Sequence, residues 1–155
     1  MNGAPPDSHK AGSIRTAIIV GGLVAGLLDA ILAFVMFGWG MPRGIASGLL
    51  GKRAFDGGAA TWALGLALHF VVALLAATVY CAASRRLPFL KVHFILSGLC
   101  YGVGVYLVMN LVVLPLSAFP LPVGPFTVSA LIHGLVGHML IIGLPISVSL
   151  RLFSR

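Results

Sequence analysis

The sequence predicts an all-α integral membrane protein, a bundle of four transmembrane helices. Three observations carry this reading. Only 8% of the 155 residues are charged, where soluble domains average about 25%. Two long stretches, 57–84 and 92–150, contain no Asp, Glu, Lys or Arg. Neither stretch alternates apolar and polar residues in the roughly 10-residue segments of a membrane β-barrel. A soluble helix needs a polar face, which these stretches lack. Uncharged apolar runs of about 20 residues cross a bilayer as helices, because lipid offers no partner to a bare backbone amide or carbonyl.

The chain divides into a flexible cytoplasmic tail, 1–14, and a single membrane domain, 15–155. The tail is polar and rich in helix breakers (MNGAPPDSHKAGS). The first helix covers about 15–39. Lys10 and Arg15 precede it, as charges precede a signal peptide. Its apolar run of about 23 residues is longer than a typical signal core, and no small-residue cleavage site follows, so it reads as an uncleaved anchor. The second helix covers 59–83, the third 92–114 and the fourth 126–150. Pro115, Pro120, Pro122 and Pro125 lie between the last two. Prolines so close cannot continue a helix, which predicts a stiff, extended loop. Pro145 falls inside the fourth span and predicts a kink there.

Segment 41–58 opens with Pro42, a helix-start signal. Ile45, Leu49 and Leu50 follow at helical spacing, and Gly57-Gly58 closes it. It reads as a short amphipathic helix in the first outer loop. An ordinary loop with snorkelling basic residues fits as well, and a re-entrant segment is a third alternative.

Orientation follows from Lys and Arg near the span ends. With both termini in the cytoplasm, the inner side holds Lys10, Arg15, Arg85, Arg86, Lys91, Arg151 and Arg155, and the outer side Arg43, Lys52 and Arg53. The net charge of +7 then belongs to topology and to anionic headgroups rather than to nucleic acid, for which no motif is present. The expected headgroup contacts are Arg43, Lys52, Arg53, Arg85, Arg86 and Lys91. Cys81 and Cys100 match no metal or redox spacing.

Five polar residues lie deep in the spans: Asp29, His69, Asn110, His133 and His138. An Asp at a helix centre costs about 2.5–3.5 kcal/mol on insertion scales, so such residues turn to other helices or to water. Small residues mark the faces where membrane helices meet. Asp29 shares its stripe with Gly22, Ala25, Gly26 and Ala33, and His69 with Gly65, Ala73, Ala76 and Ala77. Asn110 continues Gly98, Gly102 and Tyr106, and His138 continues Ala130 and Gly134. At 1.5 Å per residue, Asp29, His69 and His138 fall in one layer, with His133 and Asn110 nearer the outer surface. Asp29 is the expected partner of His69.

This polar layer reads three ways. It is interhelical glue, worth under about 2 kcal/mol per bond in membranes; or a proton, ion or substrate pathway; or a metal or haem site. His133 and His138 are about 140° apart on a helix and would not chelate one ion together. Asp29, His69 and His138 would have to do so across three helices. A bis-histidine haem would pair His69 with a histidine on the fourth span. No catalytic residues are assigned, because no nucleophile elbow, HExxH, phosphate loop or dinucleotide fingerprint is present. The two halves of the chain show no internal repeat of the transporter kind.

The segments IASGLLGKRAFDGG (45–58), LGLALHF (64–70), SRRLPFL (84–90) and YGVGVYLVMNLVVLPLSA (101–118) resemble small bacterial inner-membrane proteins of YagU-like type. The resemblance implies a multi-pass protein of the bacterial inner membrane. It brings no catalytic residues.

Three functions are weighed, and the sequence favours the first, with the second as its alternative. The first is a structural or accessory membrane protein, a subunit of a larger complex, binding no cofactor. The second is a small homo-oligomeric transporter or proton-linked permease that uses the Asp/His layer. The third is a haem- or metal-binding membrane protein. Partners are the bilayer, other membrane subunits or further copies of the chain.

Overall fold

The computed structural model describes residues 8–120 and 127–154, with side chains from residue 14 onward. All regular structure among them is helical. Four stretches are long and apolar enough to cross a membrane, and their outward faces are apolar: Leu27, Ile31 and Val35 on the first and Leu75 and Val79 on the second are exposed. The first is α1 (Ser8–Phe37). It begins inside the expected tail, because a helix once nucleated gains a hydrogen bond for each residue added. A turn over Gly38–Gly40 leads to α2 (Met41–Leu50). The second span is α3 (Ala59–Ala83), with the bounds expected from the sequence. A tight turn and α4 (Phe89–Val92) precede α5 (Phe94–Val108).

The third and fourth spans are not uniform helices. After α5 the third widens into a π turn, Met109–Val113, before α6 (Leu114–Leu116). The fourth is α7 (Val128–Gly137), a π turn over His138–Gly143, and α8 (Leu144–Phe153). Thr127 caps α7, its hydroxyl accepting from the amide of Ala130 at 3.1 Å. Pro115 thus stays helical, whereas the sequence predicts that the loop starts there. It sits in the first turn of α6, where a missing N–H costs least. The expected extended loop over Pro122 and Pro125 lies outside the described residues.

Small residues set the packing. α1 lies against α3 and α8, and α5 against α8 and the second π turn. Ala25 and Ala77 are fully buried. A methyl added at Gly98 would strike Ser147, and one at Gly143 the carbonyl of Gly98. Backbone approach this close is what small residues allow between membrane helices. Hydroxyls reinforce it. Tyr101 donates to the carbonyl of Ala76 at 2.7 Å and Ser149 to that of Ala17 at 3.0 Å. At the end of α1, Phe34, Trp39 and Trp62 form an aromatic cluster, the two indoles 5.9 Å apart. The Trp62 indole donates to the carbonyl of Trp39 at 3.1 Å.

Segment 41–50 is a helix, as one of the sequence readings expects, but it does not lie free on a surface. Met41, Pro42, Ala46 and Ser47 are buried. The carbonyl of Pro42 occupies the space a side chain at Gly65 would need. The far end is tied to the third span, where the amide of Ala118 donates to the carbonyl of Gly48 at 2.9 Å. Left-handed glycines flank the helix, Gly38 (φ 65°) and Gly51 (φ 59°).

Candidate functional site

The polar residues expected to share a layer line two neighbouring cavities. The inner one, about 110 Å³, is bounded by Asp29, Ile45, His69, Val105, Met109 and His138 among others. The wider one, about 310 Å³, is bounded by Asp29, Phe37, Tyr106, Asn110, His133 and His138 among others. Asp29 and His138 border both. α1, α3 and the second π turn therefore bring together Asp29, His69 and His138, while α7 and the first π turn add His133 and Asn110. At about 30 Å³ per water, the inner cavity has room for three or four waters. It is well below the roughly 300–1,000 Å³ of organic-ligand pockets.

His69 lies beside Asp29 as the sequence suggests, but its hydrogen bond goes to the backbone. Its Nε2 lies 2.9 Å from the carbonyl of Gly26 and 3.9 Å from a carboxylate oxygen of Asp29. The first distance is a hydrogen bond and the second is not. A backbone carbonyl only accepts, so Nε2 carries the proton and donates. Both side chains are sheltered, 10% exposed for His69 and 22% for Asp29.

The other two histidines follow the same rule within their own helix. His138 donates from Nδ1 to the carbonyl of Gly134 at 2.9 Å. His133 donates from Nδ1 to the carbonyl of Ser129 at 2.7 Å. Each neutral ring is thereby fixed in one tautomer, with its second nitrogen left as an acceptor. The Tyr106 ring meets His138 edge-on, centroids 5.2 Å apart. It fits there because Gly134 has no side chain to block it.

The π turns are the feature that sequence reasoning missed. In each, a leucine amide skips one carbonyl: Leu114 donates to Met109, and Leu144 to Met139. The next residue is proline, Pro115 or Pro145, which has no amide hydrogen. The carbonyl of Asn110 is left without a donor in its own helix. Its side chain donates the other way, to the carbonyl of Tyr106 at 2.8 Å. At membrane depth such an oxygen requires a polar partner such as water, and Asn110 borders the wider cavity. π turns of this kind recur at functional sites. A signal was present in the sequence. MNLVVLPLS (109–117) and MLIIGLPIS (139–147) share Met, Leu-Pro and Ser at matching places. In both, the serine hydroxyl donates to the leucine carbonyl three residues back, Ser117 to Leu114 and Ser147 to Leu144. A comparison of chain halves misses this repeat, because both copies lie in the second half.

The residues expected to form any metal set, Asp29, His69 and His138, stand around one cavity. Among the described residues, no three His, Cys, Asp or Glu are grouped closely enough to hold a metal ion. Asp29, His69 and His138 share a cavity wall but do not converge. The nitrogens that carbonyls hold, one per ring, are turned away from ligation. A haem does not fit the inner cavity of about 110 Å³ either. Of the expected headgroup contacts, Lys52, Arg53, Arg85 and Arg86 are exposed, while Arg43 and Lys91 are half-buried. Arg43 is drawn in by the packing of α2, and its Nε is buried without a hydrogen-bond partner among the described residues.

No family model matches the chain, and no curated protein or solved structure matches it.

Proposed function

We propose that the chain is a multi-pass membrane protein whose interior handles protons, a small homo-oligomeric transporter or proton-linked permease. The observation that carries the reading is the pair Asp29 and His138, common to the walls of both cavities. Around them, each of the three histidines gives one N–H to a backbone carbonyl and keeps one nitrogen able to take a proton. A proton arriving from the wider cavity would be taken at the free nitrogen of His133 or His138. It would pass, through water or the Asp29 carboxylate, toward the free Nδ1 of His69. The imidazolium formed there would be held by Asp29, 3.9 Å from its Nε2.

The glue reading accounts for His69 alone. Of the five polar residues, His69 is the one whose bond reaches another helix among the described residues, and Tyr80, Tyr101 and Ser149 also bond between helices. Asn110, His133 and His138 bond within their own helices, which adds nothing to helix association. Seven Lys and Arg on one side against three on the other support both termini in the cytoplasm. The YagU-like segments support a bacterial inner membrane.

The test is reconstitution into sealed vesicles with a pH-sensitive dye inside and an imposed pH gradient. The protein should speed collapse of the gradient, and Asp29→Asn should slow it at least about tenfold, as expected for a membrane proton relay. Vesicles with protein that stay as tight as empty ones would exclude the proposal.

A second reading, an accessory subunit, is favoured by one observation. Thr127 to His133 in α7 are all exposed, including Ser129 and His133, a surface that a partner helix would cover. Affinity purification from native membranes tests it: a partner retained in equal amount supports this reading, and a chain recovered alone removes it.

A further inference from the structure

We propose that α2 is a lid over the inner cavity and that Ile45 is its stopper, the residue that sets access to His69. Ile45 is the one residue of α2 in the wall that holds Asp29 and His69. The helix is laid across the molecule and held at two points. Near its start the carbonyl of Pro42 seats against Gly65, about 9 Å below the first residue of α3. Near its end the carbonyl of Gly48 takes the amide of Ala118. Ile45 lies between these attachments, and Ala46 and Ser47 beside it are buried.

The attachments suit a part that moves. Gly38 and Gly51 at the two ends adopt left-handed backbone, where glycine rotates without the cost other residues meet. A single main-chain hydrogen bond holds the far end, and Gly48 touches Ser117 only at ordinary contact distance. Lifting α2 would uncover the buried side chains of Met41, Pro42, Ala46 and Ser47, three of them small. An isoleucine in the wall of so small a cavity narrows the way in until it withdraws.

The inference deepens the proton-handling reading, but its test does not depend on transport. In a chain carrying Cys81→Ala and Cys100→Ala, Val105→Cys places a single thiol of nearly unchanged size on the cavity wall. Sealed vesicles are treated with a membrane-impermeant charged maleimide on the face that carries α2. Labelling should be slow with Ile45 in place and about tenfold faster in Ile45→Ala, as for a local opening made easier. Ile45→Leu, which keeps the bulk, should stay slow. Fast labelling with Ile45 intact, or equal rates in all three, overturns the lid.

A second variant keeps the test independent of any packing defect in Ile45→Ala. A Cβ at Gly48 would lie 3.7 Å from that of Ser117, the separation a disulfide spans. Gly48→Cys with Ser117→Cys, oxidised, should slow labelling of the Val105→Cys thiol, read by mass spectrometry of its peptide, even in Ile45→Ala, and reductant should restore it. Labelling that stays equally fast in the oxidised form overturns the lid. If labelling responds to Ile45 while no variant moves protons, the lid stands and the proton-handling reading fails.

Discussion

Gly98 and Gly143 show how much of this structure is decided by atoms that are missing. Each leaves room for the backbone of the other's helix. Gly98→Leu should therefore force the two spans apart and destabilise the chain by about 1–3 kcal/mol, the usual cost of overpacking. A lowered thermal midpoint in detergent is the measurement, and an unchanged midpoint would contradict the close approach. Gly98 was legible in a stripe of small residues, as was the polar layer of Asp29, His69 and His138, whereas Gly143 lay outside the stripe read on the fourth span. The approach of Asp29 to His69, 3.9 Å away, was legible too. The hydrogen bond of His69 to the carbonyl of Gly26 was not. Backbone acceptors are identical at every position, so no pattern of residue types can point to one of them.

At the scale of elements, spans two and four were legible because lipid imposes length and polarity together. The interior of the last two spans was not. A proline read as a helix stop becomes, after a π turn, the start of a new helical segment. The widened turn delivers an amide past the gap, and neighbouring helices hold the result in place. Pro145→Ala returns a donor to the carbonyl of Ile141 and removes the reason for the wide turn, since an internal proline costs about 3 kcal/mol. Amide exchange across 139–146 should slow, and proton flux should fall as His138 turns away from the cavities. Exchange rates equal to those of the unaltered chain would show that the π turn has another cause.

For the whole molecule, the four apolar helices of the described residues carry the proposal that both ends lie on one side of the bilayer, and the charge count points to the cytoplasm. Single cysteines placed at residue 10 and residue 154, in a chain without Cys81 and Cys100, should react with an impermeant thiol reagent only after the inner face is opened. Reaction of either one in intact cells would reverse or break the proposed threading. Number of spans and approximate boundaries follow from hydropathy alone. How the spans pair does not, because every outer face is equally apolar and only the small-residue stripes distinguish partners. The lid belongs to this scale as well, since it joins α3 to the far end of the third span.

The aromatic cluster at the end of α1 gives that lid an optical reporter. The chain has two tryptophans, one in the turn that leads into α2 and the other on α3, 5.9 Å apart. Their mutual orientation depends on the left-handed turn at Gly38. Any motion of α2 about that turn changes the exciton coupling between the indoles and the polarity around Trp39. Near-ultraviolet circular dichroism and emission colour would then follow the lid in real time, in a chain carrying no label.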